Sequence, residues 1–218
     1  VPEIKNFFVC CGLNSIGIGS GGGVGKVTAE WLMTGHINED IFSYDIKRFQ
    51  KFHSDLGFIK KRITETLGDL YGMHWPFKQH KTSRNIMTNP YHEELKKSGA
   101  CFGVSGGYER AMWFALNNDK PEYEYSYNYQ NWYPSAEFET INTTKNIGLY
   151  DLTPFSKFEL KGENVHEELQ KICTANIKNE IGKCTYTQML NKDGGIETDL
   201  TVVCLDKNYF RIISSAAT

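Results

Sequence analysis

Two stretches of the chain carry residue types that could do chemistry. The first is glycine-dense: Gly12-Leu13-Asn14-Ser15-Ile16-Gly17-Ile18-Gly19-Ser20-Gly21-Gly22-Gly23 follows the apolar run Asn6-Phe7-Phe8-Val9-Cys10-Cys11. Within it, Gly17-Ile18-Gly19-Ser20-Gly21-Gly22 has the GxGxxG spacing that brings backbone amides close to a pyrophosphate at a helix N-terminus. A dinucleotide site also needs a following strand that ends in an acidic residue about 20 positions on. Asp40 stands near that distance, but no apolar strand precedes it. A P-loop is excluded, because Ser20 occupies the leading glycine position before Gly25-Lys26 and Val27 replaces the Ser or Thr. What remains is either bare backbone that admits a flat or anionic ligand, or a tight packing loop.

The second is Asp199, at the head of Leu200-Thr201-Val202-Val203. Buried among apolar neighbours, a carboxylate has a raised pKa and exchanges protons near neutrality. At a strand end it is simply solvated, and the residue pattern alone favours that reading. His36, His53, His74, His80, His92 and His166 are scattered and accompany no GxSxG or HExxH, so they read as surface or packing residues. The six cysteines include no CxxC, and no Cys/His pair has zinc-ligand spacing. No metal site is expected. Cys10 and Cys11, inside an apolar run, are expected to be buried thiols of a reducing compartment.

These residues need elements to hold them. The run 6–11 reads as a strand covered on both faces, and Val24, Val27, Trp31 and Leu32 recur at helical spacing up to a C-capping Gly35. One strand and one helix cannot bury their own faces, so the pair reads as the last unit of a larger sheet. With Val rather than Met at position 1, the chain is expected to be an internal segment of a longer protein. A helix is predicted from 58 to about 71, ended by Trp75-Pro76. Alternating tyrosines over 123–129 predict a strand; without basic interleaving they do not make a nucleic-acid stacking surface. Beyond 137 come a helix to 146, a strand over 158–161 and an amphipathic helix over 165–172. Strands over 186–190, 199–205 and 208–214 follow, the first two joined by a hairpin turn at 191–195. The fold class is therefore mixed α+β with an antiparallel sheet. A net charge of −2 from 24 basic and 26 acidic residues gives no footprint for nucleic acid or anionic membrane. No apolar run approaches the roughly 20 residues of a membrane span.

Several motifs in order along the chain resemble the dimethylglycine/sarcosine dehydrogenase family. They begin with Phe8-Val9-Cys10-Cys11-Gly12-Leu13-Asn14-Ser15-Ile16-Gly17, Gly21-Gly22-Gly23-Val24-Gly25-Lys26 and Ala29-Glu30-Trp31. Tyr44-Asp45-Ile46-Lys47-Arg48-Phe49, His74-Trp75-Pro76, Gly107-Tyr108-Glu109-Arg110 and Gln130-Asn131-Trp132-Tyr133 continue the match. Gly148-Leu149-Tyr150-Asp151-Leu152, Lys157-Phe158, Tyr186-Thr187-Gln188-Met189-Leu190-Asn191 and Gly194-Gly195-Ile196-Glu197-Thr198-Asp199-Leu200-Thr201-Val202 complete it. The second half is similar to the folate-binding T-protein of the glycine cleavage system, which such dehydrogenases carry behind a flavin domain.

The resemblance implies three parts. Residues 1–40 would be the C-terminal strand–helix of an FAD-binding, D-amino-acid-oxidase-like domain, 41–95 a central linker domain, and 96–218 the N-terminal part of a T-protein-like folate domain. It implies FAD-dependent oxidation of an N-methylated amino acid, of dimethylglycine or sarcosine type, with tetrahydrofolate taking the one-carbon unit. The expected electron acceptor is an electron-transfer flavoprotein, in a bacterial cytoplasm or a mitochondrial matrix. By position, Gly12, Leu13, Asn14, Ser15 and Gly17 correspond to the turn that contacts FAD. Asp199 corresponds to the catalytic carboxylate that engages the folate; Tyr186, Phe155 and Thr201 correspond to the pocket around it. This overrides the solvated reading of Asp199. The chain alone is expected neither to hold FAD nor to turn over substrate. Two alternatives stand beside this reading: a non-catalytic regulator like the pyruvate dehydrogenase phosphatase regulatory subunit, and a folate-dependent aminomethyltransferase.

Overall fold

The computed structural model describes residues 1, 3–37, 39–117 and 119–215. The chain has a mixed α/β architecture with antiparallel sheets and divides into two compact units, Val1–Ile59 and Lys60–Thr218. In the first unit, helix α1 (Gly17–Thr34) is followed by short 3-10 turns at Phe42–Tyr44, Ile46–Arg48 and Lys51–Ser54. Gly35 ends α1 as expected: at φ +78° it returns its N–H to the Trp31 carbonyl at 2.9 Å. Three expectations fail here. Residues 6–11 form no strand, because a strand exists through pairing and this unit contains no other strand among its described residues. The glycines from 17 to 23 lie in the first turns of α1 rather than in a loop. Cys10 and Cys11 are exposed, not buried, since α1 buries no residue and the run is not covered; Phe8 touches the Trp31 ring edge-on.

The second unit is wired by carboxylates. Helix α2 (Leu56–Asp69) matches the helix predicted over 58–71. Its Glu65 accepts the Lys81 N–H at 2.6 Å, the Thr82 N–H at 2.9 Å and the Thr82 hydroxyl. Burial alone would raise this carboxyl; those hydrogen bonds outweigh burial and bring it down to about 2. A short helix α3 (His92–Lys97) leads into the hairpin β1 (Ala100–Ser105) and β2 (Tyr108–Phe114). Gly106 and Gly107 turn it with φ of +56° and +85°, a tight turn that needs positive φ at both central residues. Glu109 of β2 is 2% exposed and accepts Arg84 Nε at 2.7 Å, a second Arg84 nitrogen, and the Asn85 N–H at 2.8 Å. Arg84 also donates to the His80 and Phe102 carbonyls.

The tyrosine-rich stretch is not a strand. Its side chains are anchored to the loop at 74–79 instead: Tyr125 Oη accepts the Gln79 N–H at 2.9 Å, and Tyr127 Oη donates to the His74 carbonyl at 3.0 Å. Gln130 donates to the carbonyls of Pro76 and Ser126, which holds the same stretch in a loop. Helix α4 (Tyr133–Lys145) starts ahead of the predicted Glu137 because Pro134 sits in its first turn, where a missing N–H costs nothing.

The C-terminal elements are β3 (Ser156–Lys161), α5 (Val165–Ile172), β4 (Cys184–Leu190), β5 (Ile196–Asp206) and β6 (Tyr209–Ser214). They form an antiparallel sheet in the order β3-β6-β5-β4. Leu169 of α5 and Ile177 pack on one face of it, against Leu200, Val202, Cys204, Phe210 and Ile212. Phe210 is 0% exposed, and Phe210→Ala is expected to cost about 3–5 kcal/mol of unfolding free energy, measurable by urea titration. Acid lability should trace in part to Glu65, beside Glu109 and Asp151, whose carboxyls are also held below their ordinary range. The depressed pKa of Glu65 contributes stability that is complete above its ordinary value of 4.5 and lost as pH falls toward about 2. Glu65→Gln should lower stability at pH 7 and flatten its fall across that window; an unchanged slope would exclude the carboxylate as its source.

Candidate functional site

The site is built on the sheet face that α5 leaves open. Along β5, Leu200, Val202 and Cys204 point to the core, so Asp199, Thr201 and Val203 point the other way. Register then decides their neighbours. Leu190 stands opposite Ile196 and Met189 opposite Thr198, so Glu197 is an extra residue in β5. Beyond this bulge Gln188 faces Asp199, Thr187 faces Leu200 and Tyr186 faces Thr201. Tyr186 and Asp199 are therefore diagonal neighbours on one face, within reach of a long side chain. Tyr186 Oη donates to Asp199 Oδ2 at 3.0 Å. The tyrosine is 63% exposed and the aspartate is exposed as well, so the pair presents an acceptor and an aromatic ring to the open side of the sheet.

Of the residues singled out from sequence, the structure brings Tyr186, Asp199 and Thr201 together. Phe155 is half-buried and immediately precedes Ser156, which pairs with Ser214, itself paired with Leu200 beside Asp199. It thus enters at the same end of the sheet. Gln188, directly across from Asp199, escaped the sequence reading. Its signal is its spacing of two from Tyr186, which becomes legible only once the bulge is known. Gly12, Leu13, Asn14, Ser15 and Gly17 lie in the other unit, in the turn that opens α1. Gly12 and Ser15 have φ of +83° and +64°, Ile16 donates its N–H to the Leu13 carbonyl, and no side chain caps the helix. A Cβ added at Gly12, Gly19, Gly21, Gly22, Gly23 or Gly25 would meet nothing within 4 Å. Gly12 is required by its positive φ, but packing does not require the glycines at 19, 21, 22, 23 and 25, and the bare backbone they leave fits close approach by a flat ring system.

All six cysteines are thiols; Cys101 and Cys204 are buried, and burial pushes the Cys101 thiol up to about 11. Among the described residues, Glu65, Asp69 and His80 bring ligand-type atoms within 4.8 Å of one another. Lys78 already pairs with Asp69 at 2.5 Å and Arg62 stands 3.9 Å from Glu65, so the two carboxylates have their counter-charges. His166 Nε2 donates to the Ile177 carbonyl at 2.9 Å and its ring lies over Phe210, and His92 lies against Phe102, both packing roles. No helix among the described residues is long and apolar enough to cross a membrane.

Comparison with known proteins gives two matches to family models: residues 91–218 to the GCVT N-terminal domain, and residues 34–88 to the FAD dependent oxidoreductase central domain. The chain is 39% identical over 216 residues to 4-methylaminobutanoate oxidase (formaldehyde-forming) of Paenarthrobacter nicotinovorans, covering 99% of this chain and 26% of that protein. It is 31% identical over 218 residues to the mitochondrial pyruvate dehydrogenase phosphatase regulatory subunit of Mus musculus, covering 98% and 25%. It is 30% identical over 226 residues to the mitochondrial sarcosine dehydrogenase of Mus musculus, covering 92% and 25%. The chain spans about a quarter of the length of these curated relatives.

An exposed pair that serves a ligand rather than the scaffold should be removable without unfolding the sheet. Tyr186→Phe and Asp199→Asn are each expected to change unfolding free energy by no more than about 0.5 kcal/mol. A loss above about 1.5 kcal/mol in chemical denaturation would make the pair part of the scaffold.

Proposed function

The chain belongs to the GCVT N-terminal domain family, and from that footing we propose that it is an internal segment of an FAD- and folate-dependent oxidoreductase that demethylates an N-methyl amino acid. The observation that carries this is the Tyr186–Asp199 hydrogen bond on an open sheet face. A carboxylate beside an aromatic ring suits a flat, hydrogen-bonding, amine-bearing heterocycle such as the pterin of tetrahydrofolate.

FAD, when bound, supplies the oxidation of the N-methyl group, and tetrahydrofolate accepts the one-carbon unit. The chain's own residues do the rest. Tyr186 holds Asp199 by Oδ2, which leaves Oδ1 to take a proton or face a positive charge as it develops. The Tyr186 ring is one apolar wall, Phe155, ahead of β3 at the other edge of the sheet, is assigned the opposite one, and Thr201, opposite Tyr186, adds a hydroxyl to the floor. In the other unit, Gly12, Leu13, Asn14, Ser15 and Gly17 are the turn that meets FAD. We assign 1–40 to the end of the flavin domain, 41–95 to a linker domain and 96–218 to the start of the folate domain. By itself this segment holds no FAD and turns over no substrate. Dimethylglycine, sarcosine and 4-methylaminobutanoate are the substrates to try, with an electron-transfer flavoprotein as acceptor, in a mitochondrial matrix or bacterial cytoplasm.

A second reading, a regulatory protein without demethylation, is favoured by the 31% identity to the phosphatase regulatory subunit. A folate-dependent aminomethyltransferase is the third, favoured by the GCVT match. Flavin absorbance and product analysis on the protein at its natural length separate them. The proposal expects bound flavin, flavin bleaching by one of the three amines, and 5,10-methylenetetrahydrofolate as product. Asp199→Ala should lower that product's formation by about 100-fold or more while flavin bleaching persists. Folate binding without flavin would favour the aminomethyltransferase, and absence of both flavin and product would leave the regulator.

A further inference from the structure

A polar contact away from the Tyr186–Asp199 pair ties two distant stretches together. Asn89 is 5% exposed, and its Nδ2 donates to Oδ2 of Asp151. Its Oδ1 accepts the Tyr91 N–H at 2.8 Å. On the other side, Asp151 Oδ1 accepts the Thr153 N–H at 3.0 Å and the Thr153 hydroxyl at 2.6 Å. Lys157 then donates to the carbonyls of Leu152 and Thr153, at 2.8 and 2.9 Å, and the Phe155 N–H returns to Leu152 at 3.1 Å. The donors and acceptors fix every orientation. An ionised carboxylate only accepts, so the amide nitrogen of Asn89 must face Asp151, and a backbone N–H only donates, so its oxygen must face Tyr91. Burial raises the Asp151 carboxyl, but the Thr153 and Asn89 hydrogen bonds and the charge of Arg110 hold it below the ordinary carboxylate range.

The 151–155 turn runs directly into Ser156 and the sheet end that carries Asp199. We propose that Asn89 and Asp151 are positioning residues for the folate pocket: their contact sets the shape of the turn that delivers Phe155 to the end of the sheet where Tyr186 and Asp199 meet. The inference rests on the folate reading of those residues given above. It adds to that pocket a pair that touches no ligand.

The pair can be broken twice and restored once. Asn89→Asp sets carboxylate against carboxylate. Asp151→Asn sets amide donor against amide donor, because the new oxygen is needed by Thr153. The double variant reverses the contact: the carboxylate at position 89 accepts from the amide at position 151 and still takes the Tyr91 N–H, while the amide oxygen at position 151 still takes both Thr153 donors. Tetrahydrofolate affinity by calorimetry and thermal midpoint are read together on the natural-length protein. Each single variant is expected to weaken binding about tenfold, and the double to recover to within about threefold of the parent. Singles that melt earlier but bind as tightly as the parent would overturn the proposal and leave a purely structural contact. If the singles do not fold, the double decides, and a double that folds like the parent yet binds about tenfold more weakly overturns it. A parent that binds no tetrahydrofolate overturns the folate reading itself and this inference with it.

Discussion

A strand shows alternate residues to its two faces, so one inserted residue reverses everything beyond it. Glu197 is that residue in β5. Counted without it, Asp199 would stand opposite Thr187, which is buried, and Leu200 would face outward with Gln188. A carboxylate would enter the core and an apolar row would leave it, each at a cost of several kcal/mol. With the bulge in place, the same sequence seals Leu200, Val202 and Cys204 under α5 and sends Asp199 to the face where Tyr186 can reach it. Core and candidate site are thus two outcomes of a single register.

The other half of the unit buries Ala100, Cys101 and Trp113 and uses charge to hold its long loop. Glu65 and Glu109 each spend their oxygens on backbone N–H groups of the 79–87 region, at Lys81 and Thr82 and at Asn85. Arg84 spans from Glu109 to the carbonyls of His80 and Phe102. A loop that would otherwise expose its amides is held like a secondary-structure element, with two ionised side chains in place of a neighbouring strand. Such buried pairs add little net stability over apolar packing but are strongly destabilising when one partner is removed.

Where periodicity and turn chemistry agreed, the sequence was readable. Val165–Ile172 carries its apolar residues on one helical face, and the Asn191-Lys192-Asp193-Gly194-Gly195 turn joins two alternating runs; both elements formed as expected. The run at 6–11 misled because apolar content says that a segment seeks cover, not that a partner strand is at hand. The tyrosines of 123–129 alternate as a strand would, yet their hydroxyls and the Gln130 amide are committed to the loop at 74–79. Gly106-Gly107 was a hairpin signal in plain view, flanked by mixed residues that obscured the strands on either side. Asp199 stood out at the head of an apolar run, where the pattern favoured a solvated strand end; Tyr186 was marked by resemblance alone. That they touch needs the bulge, which no residue type announces, and the Asn89–Asp151 contact joins segments whose proximity no local pattern encodes.

The strand order β3-β6-β5-β4 has a consequence for how the candidate site comes together in time and chain length. β4 meets β5, and β5 meets β6, across short turns, so these pairings close small loops. β3 meets β6 only across α5, β4 and β5, and the entropy lost on closing a loop rises with its length. Tyr186, Asp199 and Thr201 therefore belong to a meander that closes locally, while Phe155, just ahead of β3, joins the sheet only through its longest closure. One edge of the sheet is assembled by neighbours in sequence; the other waits on a return journey of the chain.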